Sequence, residues 1–212
     1  MTRILSATVL ALVLVPVVAA APPGADLPAV QDVLDRFVEA VGGAEACARA
    51  DVRHYRGTIV QDLTWTDPRH QEVPFRAEAT AAGLVRYAEV DAWSALPATD
   101  AADLRSKLRW VLHPQYARQV ETFFPQLEVA GREARAGRPV ILLRPRELKP
   151  EYYTLYFDEE TGLLSHIGYH NDLQDWREVD GVLYPHRWVF GRKGGHTTYV
   201  FEEVTTGPAP AD

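Results

Sequence analysis

Apolar and polar positions recur at two different periods along this chain. Val30, Val33, Leu34, Phe37, Val38 and Val41 fall at helical spacing and form one stripe. Pro28 suits a first turn and Gly42-Gly43 a stop, which predicts an amphipathic helix over 28–41. Residues 44–50 add a short helical turn. From Val52 the period drops towards two. Residues 53–65 are rich in β-branched and aromatic types, with Tyr55, Ile59, Leu63 and Trp65 on one face. Asp67-Pro68 marks a turn. Val73, Phe75, Ala77 and Ala79 then alternate with Arg76, Glu78 and Thr80, and Ala82-Gly83 leads into a strand over 84–90. Three strands with short connections predict antiparallel pairing.

Residues 100–124 return to helical spacing. Asp100 can cap, and Leu104, Leu108, Val111 and Leu112 form a stripe that Pro114 must kink or split. Tyr116, Val120, Phe123 and Phe124 carry the apolar face past the break. This segment reads as a lid over the sheet or as a kinked core helix. From Leu127 the chain reads as strands near 127–135, 138–144, 151–158, 163–170, 174–179, 182–190 and 196–204. Turn residues separate them at Ala136-Gly137, Asp158 to Gly162, Asn171-Asp172, Asp180-Gly181 and Gly191 to Gly195. An α+β fold follows. It is one strongly curved antiparallel sheet of about 10–11 strands, an open half-barrel with helices covering its concave face.

Composition narrows the class. With 47% hydrophobic and 24% charged residues, the 212-residue chain is neither disordered nor fibrous. It is read as one domain over 21–205 with a frayed tail at 206–212. A formal charge of −7 argues against a nucleic-acid partner. Cys47 is the one cysteine, so no disulfide forms within the chain, and it reads as a small buried apolar residue. Residues 1–20 read as a signal peptide: Arg3, an apolar run from Ile4 to Val18, then small residues before Pro22-Pro23. That run is short of the about 20 residues a membrane span needs. The expected location is the periplasm, with neither a lipid anchor nor a transmembrane helix.

Catalytic sets are sparse. No serine lies in a Gly-x-Ser-x-Gly elbow, and no glycine-rich phosphate loop is present. Ser165 and His166 are neighbours on a predicted strand, which points them to opposite faces and excludes a dyad. His166 and His170 share a face, with His186, His196, Asp172 and Asp175 nearby in sequence. They read as solvated or hydrogen-bonded strand histidines rather than metal ligands, because tight ligand spacing is absent. No catalytic residue, metal or cofactor is expected. The aromatics are more suggestive. Tyr55, Ile59, Phe75, Tyr87, Tyr156, Tyr169, Tyr184, Trp188 and Phe190 are the candidate lining of an apolar cavity, with Tyr199 and Phe201 read onto opposite faces. Leu104, Leu108, Val111 and Leu112 are the candidate lid. Arg76 and Arg86 either hold a head group or pair with surface carboxylates.

Several turns also resemble a known family. Val129-Ala130-Gly131-Arg132-Glu133 with Gly137-Arg138-Pro139, Tyr156-Phe157-Asp158 with Thr161-Gly162-Leu163-Leu164, and Asp180 to Pro185 occur in order. Val90-Asp91-Ala92-Trp93 is similar to a fourth segment. Together they resemble the LolA-like superfamily of periplasmic lipoprotein carriers and lipid-binding envelope proteins, over about residues 27–204. The resemblance implies a half-barrel with a helical lid over an apolar cavity that binds acyl chains or lipid anchors without catalysis. Expected partners are a lipid or an acylated protein, with transient contact to envelope proteins or the membrane surface. Two other readings stay open: an envelope protein-interaction module of the same fold, and a metal-dependent enzyme using the strand histidines.

Overall fold

The computed structural model describes residues 26–64, 68–82, 84–89, 94–97, 109–192 and 194–207. The expected signal peptide, Leu104, Leu108 and residues 208–212 lie outside the described residues. For 84–89 and 94–97 the backbone alone is described, and this includes Arg86 and Tyr87.

The first helix, α1, spans Val30–Ala40, and its apolar stripe buries Val33, Leu34 and Phe37. The Asp32 carboxylate accepts the Ala29 backbone N–H at 3.1 Å, satisfying one of the donors a helix start leaves free. Gly42 ends the helix at φ 122°, where a β-carbon would lie 2.0 Å from the Gly181 carbonyl oxygen. Only glycine permits that approach. Beside it, the Leu183 N–H donates to the Val41 carbonyl at 2.8 Å. The Gly-Gly stop and the Asp180-Gly181 turn are therefore two halves of one contact, which docks α1 on the sheet. Helix α2, Gly43–Ala48, follows and buries Cys47.

Among the described residues eleven strands form one antiparallel sheet. They are β1 Val52–Leu63, β2 Arg69–Thr80, β3 Leu84–Glu89, β4 Ser94–Pro97, β5 Leu127–Arg135, β6 Arg138–Pro145, β7 Leu155–Asp158, β8 Leu164–Ile167, β9 Asn171–Val179, β10 Val182–Arg192 and β11 Gly195–Thr206. Their order is β4-β3-β2-β1-β11-β10-β9-β8-β7-β6-β5, so the sheet stays open, with β4 and β5 at opposite edges. The chain leaves at one edge and re-enters at the other, and the described part of the connection, from Arg109, packs on a face of the sheet. The described part of that connection holds helix α3, Arg109–Leu112, a 3₁₀ turn, Tyr116–Gln119, and helix α4, Val120–Phe123. Helix α3 stops just ahead of Pro114, as proline requires. The architecture is the expected curved sheet with helical cover.

Several local expectations need correction. Strand β4 was not expected; it is four residues long and carries little pattern. Residues 151–153 are not strand: Pro150–Tyr153 forms helix α5, with proline at its first position. Asn171-Asp172 is not a turn but the start of β9, the chain reversing instead over 168–170. Tyr199 and Phe201 do not oppose each other, since both rings pack edge-on against Phe75, at 5.9 and 5.7 Å. Next to Phe201 the β1–β11 register slips by one residue, pairing Arg56 with Glu203 and Gly57 with Phe201. That bulge keeps both Phe201 and Val204 buried.

Candidate functional site

One face of the sheet carries the core. Tyr55 and Ile59 on β1, Phe75 on β2, and Tyr184 and Trp188 on β10 are each 4% exposed or less. Period-2 alternation selects them: Arg76 beside Phe75 and Arg187 beside Trp188 are exposed. The crossing segment covers this face with Trp110, Val111, Leu112, Tyr116, Val120, Phe123 and Phe124, all buried. Trp110 packs on Tyr116, Phe123 and Phe124 at 5.2–6.0 Å between ring centroids. Phe37 of α1 joins through Tyr116 at 5.9 Å and Phe157 at 5.4 Å.

Hydroxyl groups of the sheet hold this cover. Tyr55 donates to the Leu112 carbonyl at 2.7 Å and Tyr184 to the Pro114 carbonyl at 2.9 Å, both bonds buried. Tyr116 donates in the reverse sense, to Leu183 at 3.4 Å. Burial pushes all three phenols above their ordinary pKa, so they remain proton donors.

Arg53 is part of this group and was not foreseen. It shares the face of Tyr55 and is 1% exposed, with its guanidinium carbon 4.0 Å from the Tyr184 ring centroid. Its Nε and Nη1 have no hydrogen-bond partner. The available signal was parity, since 53, 55 and 59 fall on one side of a strand.

The other candidate residues stand elsewhere. Tyr156 is buried, but it faces His166 at 6.2 Å with the Arg135 guanidinium over its ring, on the side opposite Phe157. Tyr169 and Phe190 are 61% and 40% exposed, and Arg76 is exposed on the outer face. Of the four lid leucines and valines, Val111 and Leu112 are in the cover.

The reading that separates Ser165 from His166 is overturned. Tyr156 pairs with His166 and Phe157 with Leu164, so Ser165 occupies a bulge and turns towards its neighbour. His166 Nδ1 lies 2.9 Å from the Ser165 hydroxyl and Nε2 lies 3.1 Å from Asp172. The Ser165 proton, however, goes to the Tyr156 carbonyl at 3.0 Å and not to the imidazole. The arrangement pins a bulge and does not activate a nucleophile. His170 lies beyond the end of β8 and does not share its face. Buried His186 donates from Nδ1 to the Phe201 carbonyl at 2.7 Å. Among the described residues no three His, Cys, Asp or Glu are grouped to hold a metal ion. No described helix is long and apolar enough to cross a membrane.

No protein-family model matches the chain, and no curated protein does. Solved structures do. The LolA superfamily protein NE2245 from Nitrosomonas europaea superposes with a TM-score of 0.55 at 9% identity, over 87% of this chain and 96% of that one. A DUF1329 family protein from Desulfovibrio piger gives a TM-score of 0.47 at 10% identity, over 86% and 95%. The MucA/MucB complex of Pseudomonas aeruginosa gives 0.26 at 20% identity, over 85% and 58%. The chain therefore shares its fold, an open antiparallel sheet with a helical cover, with the LolA superfamily protein NE2245, on which it superposes along nearly the whole length of that chain.

Proposed function

We propose that this chain is a non-catalytic carrier or binding protein of the periplasm, which holds a hydrophobic ligand between the curved sheet and the 109–124 cover. The observation that carries the reading is the crossing connection. Residues 109–124, the described part of the segment joining opposite sheet edges, lie over an apolar face and bury Trp110, Tyr116, Phe123 and Phe124 against it. Within them Tyr116–Gln119 and Val120–Phe123 are four residues each, and elements that short depend on what they pack against.

A ligand chain offsets part of what opening the cover costs. Each hydroxyl-to-carbonyl bond to the cover contributes about 1 kcal/mol net. Each buried methylene of an acyl chain contributes about 0.8 kcal/mol. A chain of about a dozen methylenes therefore compensates for the two buried tyrosine bonds and for part of the side-chain contact it replaces. Ile59, Phe75 and Trp188 present an apolar surface suited to such a chain.

A second reading keeps the fold and drops the lipid. The cover's own side chains fill the described concave face, which favours an envelope interaction module whose partner binds elsewhere. An environment-sensitive apolar dye separates the two. The carrier reading expects saturable dye binding that long-chain lipids reverse. Dye that never binds, at any lipid or protein concentration, supports the interaction module and sinks the carrier.

A further inference from the structure

Arg53 is the largest fully buried side chain among the described residues, and it is a cation. No ion pair reaches it among the described residues. The Tyr184 ring beneath the guanidinium offsets part of the desolvation, yet Nε and Nη1 remain without acceptors. Unpaired donors on a buried charge are costly, and an aliphatic side chain of similar volume would remove the cost. A charge kept under such conditions points to an acceptor that arrives later.

The surroundings define that acceptor. Tyr55 and Tyr184, the two tyrosines that hold the cover, flank Arg53 on the same face of the sheet. Their hydroxyl protons are engaged by the Leu112 and Pro114 carbonyls only while the cover is down. Lifting the 112–114 turn frees both phenols next to the two unpaired guanidinium donors. The result is a set of donors with one fixed positive charge, at one end of an apolar surface. That set matches an acceptor-only anionic group attached to a hydrocarbon chain.

We propose that Arg53, with Tyr55 and Tyr184, is the receptor for the head group of an anionic amphiphile, whose chain lies along Ile59, Phe75 and Trp188. Carboxylate and phosphate heads share this chemistry. The inference rests on the carrier reading and narrows its ligand class. It also relocates the head-group site, because Arg76 points away from the cavity on the exposed face.

The test compares oleate, oleoyl lysophosphatidate and uncharged monoolein by dye displacement, on the wild-type chain and on Arg53→Met. The wild type is expected to bind at least one of the anions tenfold or more tighter than monoolein, and the tighter anion identifies the head group. Arg53→Met is expected to lose that preference, keep monoolein binding, and unfold at the same temperature or higher. Equal wild-type affinity for all three overturns the head-group assignment and leaves the carrier reading standing. Binding of none of the three defeats the carrier reading and this inference with it. The wild-type comparison decides the matter even if the variant does not fold.

Discussion

The Tyr55 hydroxyl lies 2.7 Å from the Leu112 carbonyl and donates its proton there, in a bond closed to solvent. It ties the fourth residue of β1 to the last residue of α3, 57 positions away in sequence. Tyr55→Phe removes the hydroxyl and keeps the ring, leaving the buried carbonyl unpaired at a cost of about 1–3 kcal/mol. The expected outcome is a cover that opens more often. Limited proteolysis within 109–124 should accelerate, and apolar dye should bind more readily. Unchanged proteolysis would mean that the bond does not hold the cover.

Acid should loosen the same segment. His113, 2% exposed, follows α3 and accepts the Gln115 N–H on Nδ1 at 3.2 Å. Burial lowers its pKa, against a hydrogen bond to the Ala81 backbone that raises it. Burial also lowers His186 and His166, the latter against the raising influence of Asp172. For a depressed histidine the unfolded chain binds the extra proton first, so stability rises with pH and falls as pH drops below the unfolded value of about 6.5. Exposed His70 has the opposite sign, because Asp62 and Glu72 raise its pKa, but solvent screens it. Melting temperature should fall between pH 7.5 and 5, and His113→Gln should flatten that slope. An unaltered slope would remove His113 from the account.

Gly57 has no spare room. A β-carbon there would lie 1.9 Å from the Val200 carbonyl oxygen, at the bulge between β1 and β11. Gly57→Ala must move backbone in the strand pair that joins the first half of the sheet to the last. A loss of about 3 kcal/mol is expected, measured as a lower urea midpoint. A wild-type midpoint would show that the bulge yields freely.

Much of this was legible in the sequence. The stripe of α1, the strand faces through Tyr55, Phe75 and Trp188, and the break at Pro114 each follow from period and from proline. The failures have local causes. Tyr152 and Tyr153 look like strand residues, but Pro150 starts a helical turn ahead of them. A bulge at Ser165 reverses the parity that alternation assumes, and no residue type announces it. Arg53 was missed because an isolated arginine on a strand reads as surface, and the stacking on Tyr184 is a contact over 131 positions. Burial of Tyr156 on the far side, under Arg135, likewise depends on which strand lies next door, and not on the local pattern.

Mass spectrometry under native conditions tests the central claim most directly. The full chain would be expressed, purified without detergent and measured before and after incubation with phosphatidylethanolamine–phosphatidylglycerol vesicles. A carrier should show an added mass in the phospholipid or fatty-acid range, released when the protein unfolds. A bare chain mass in both samples would contradict it.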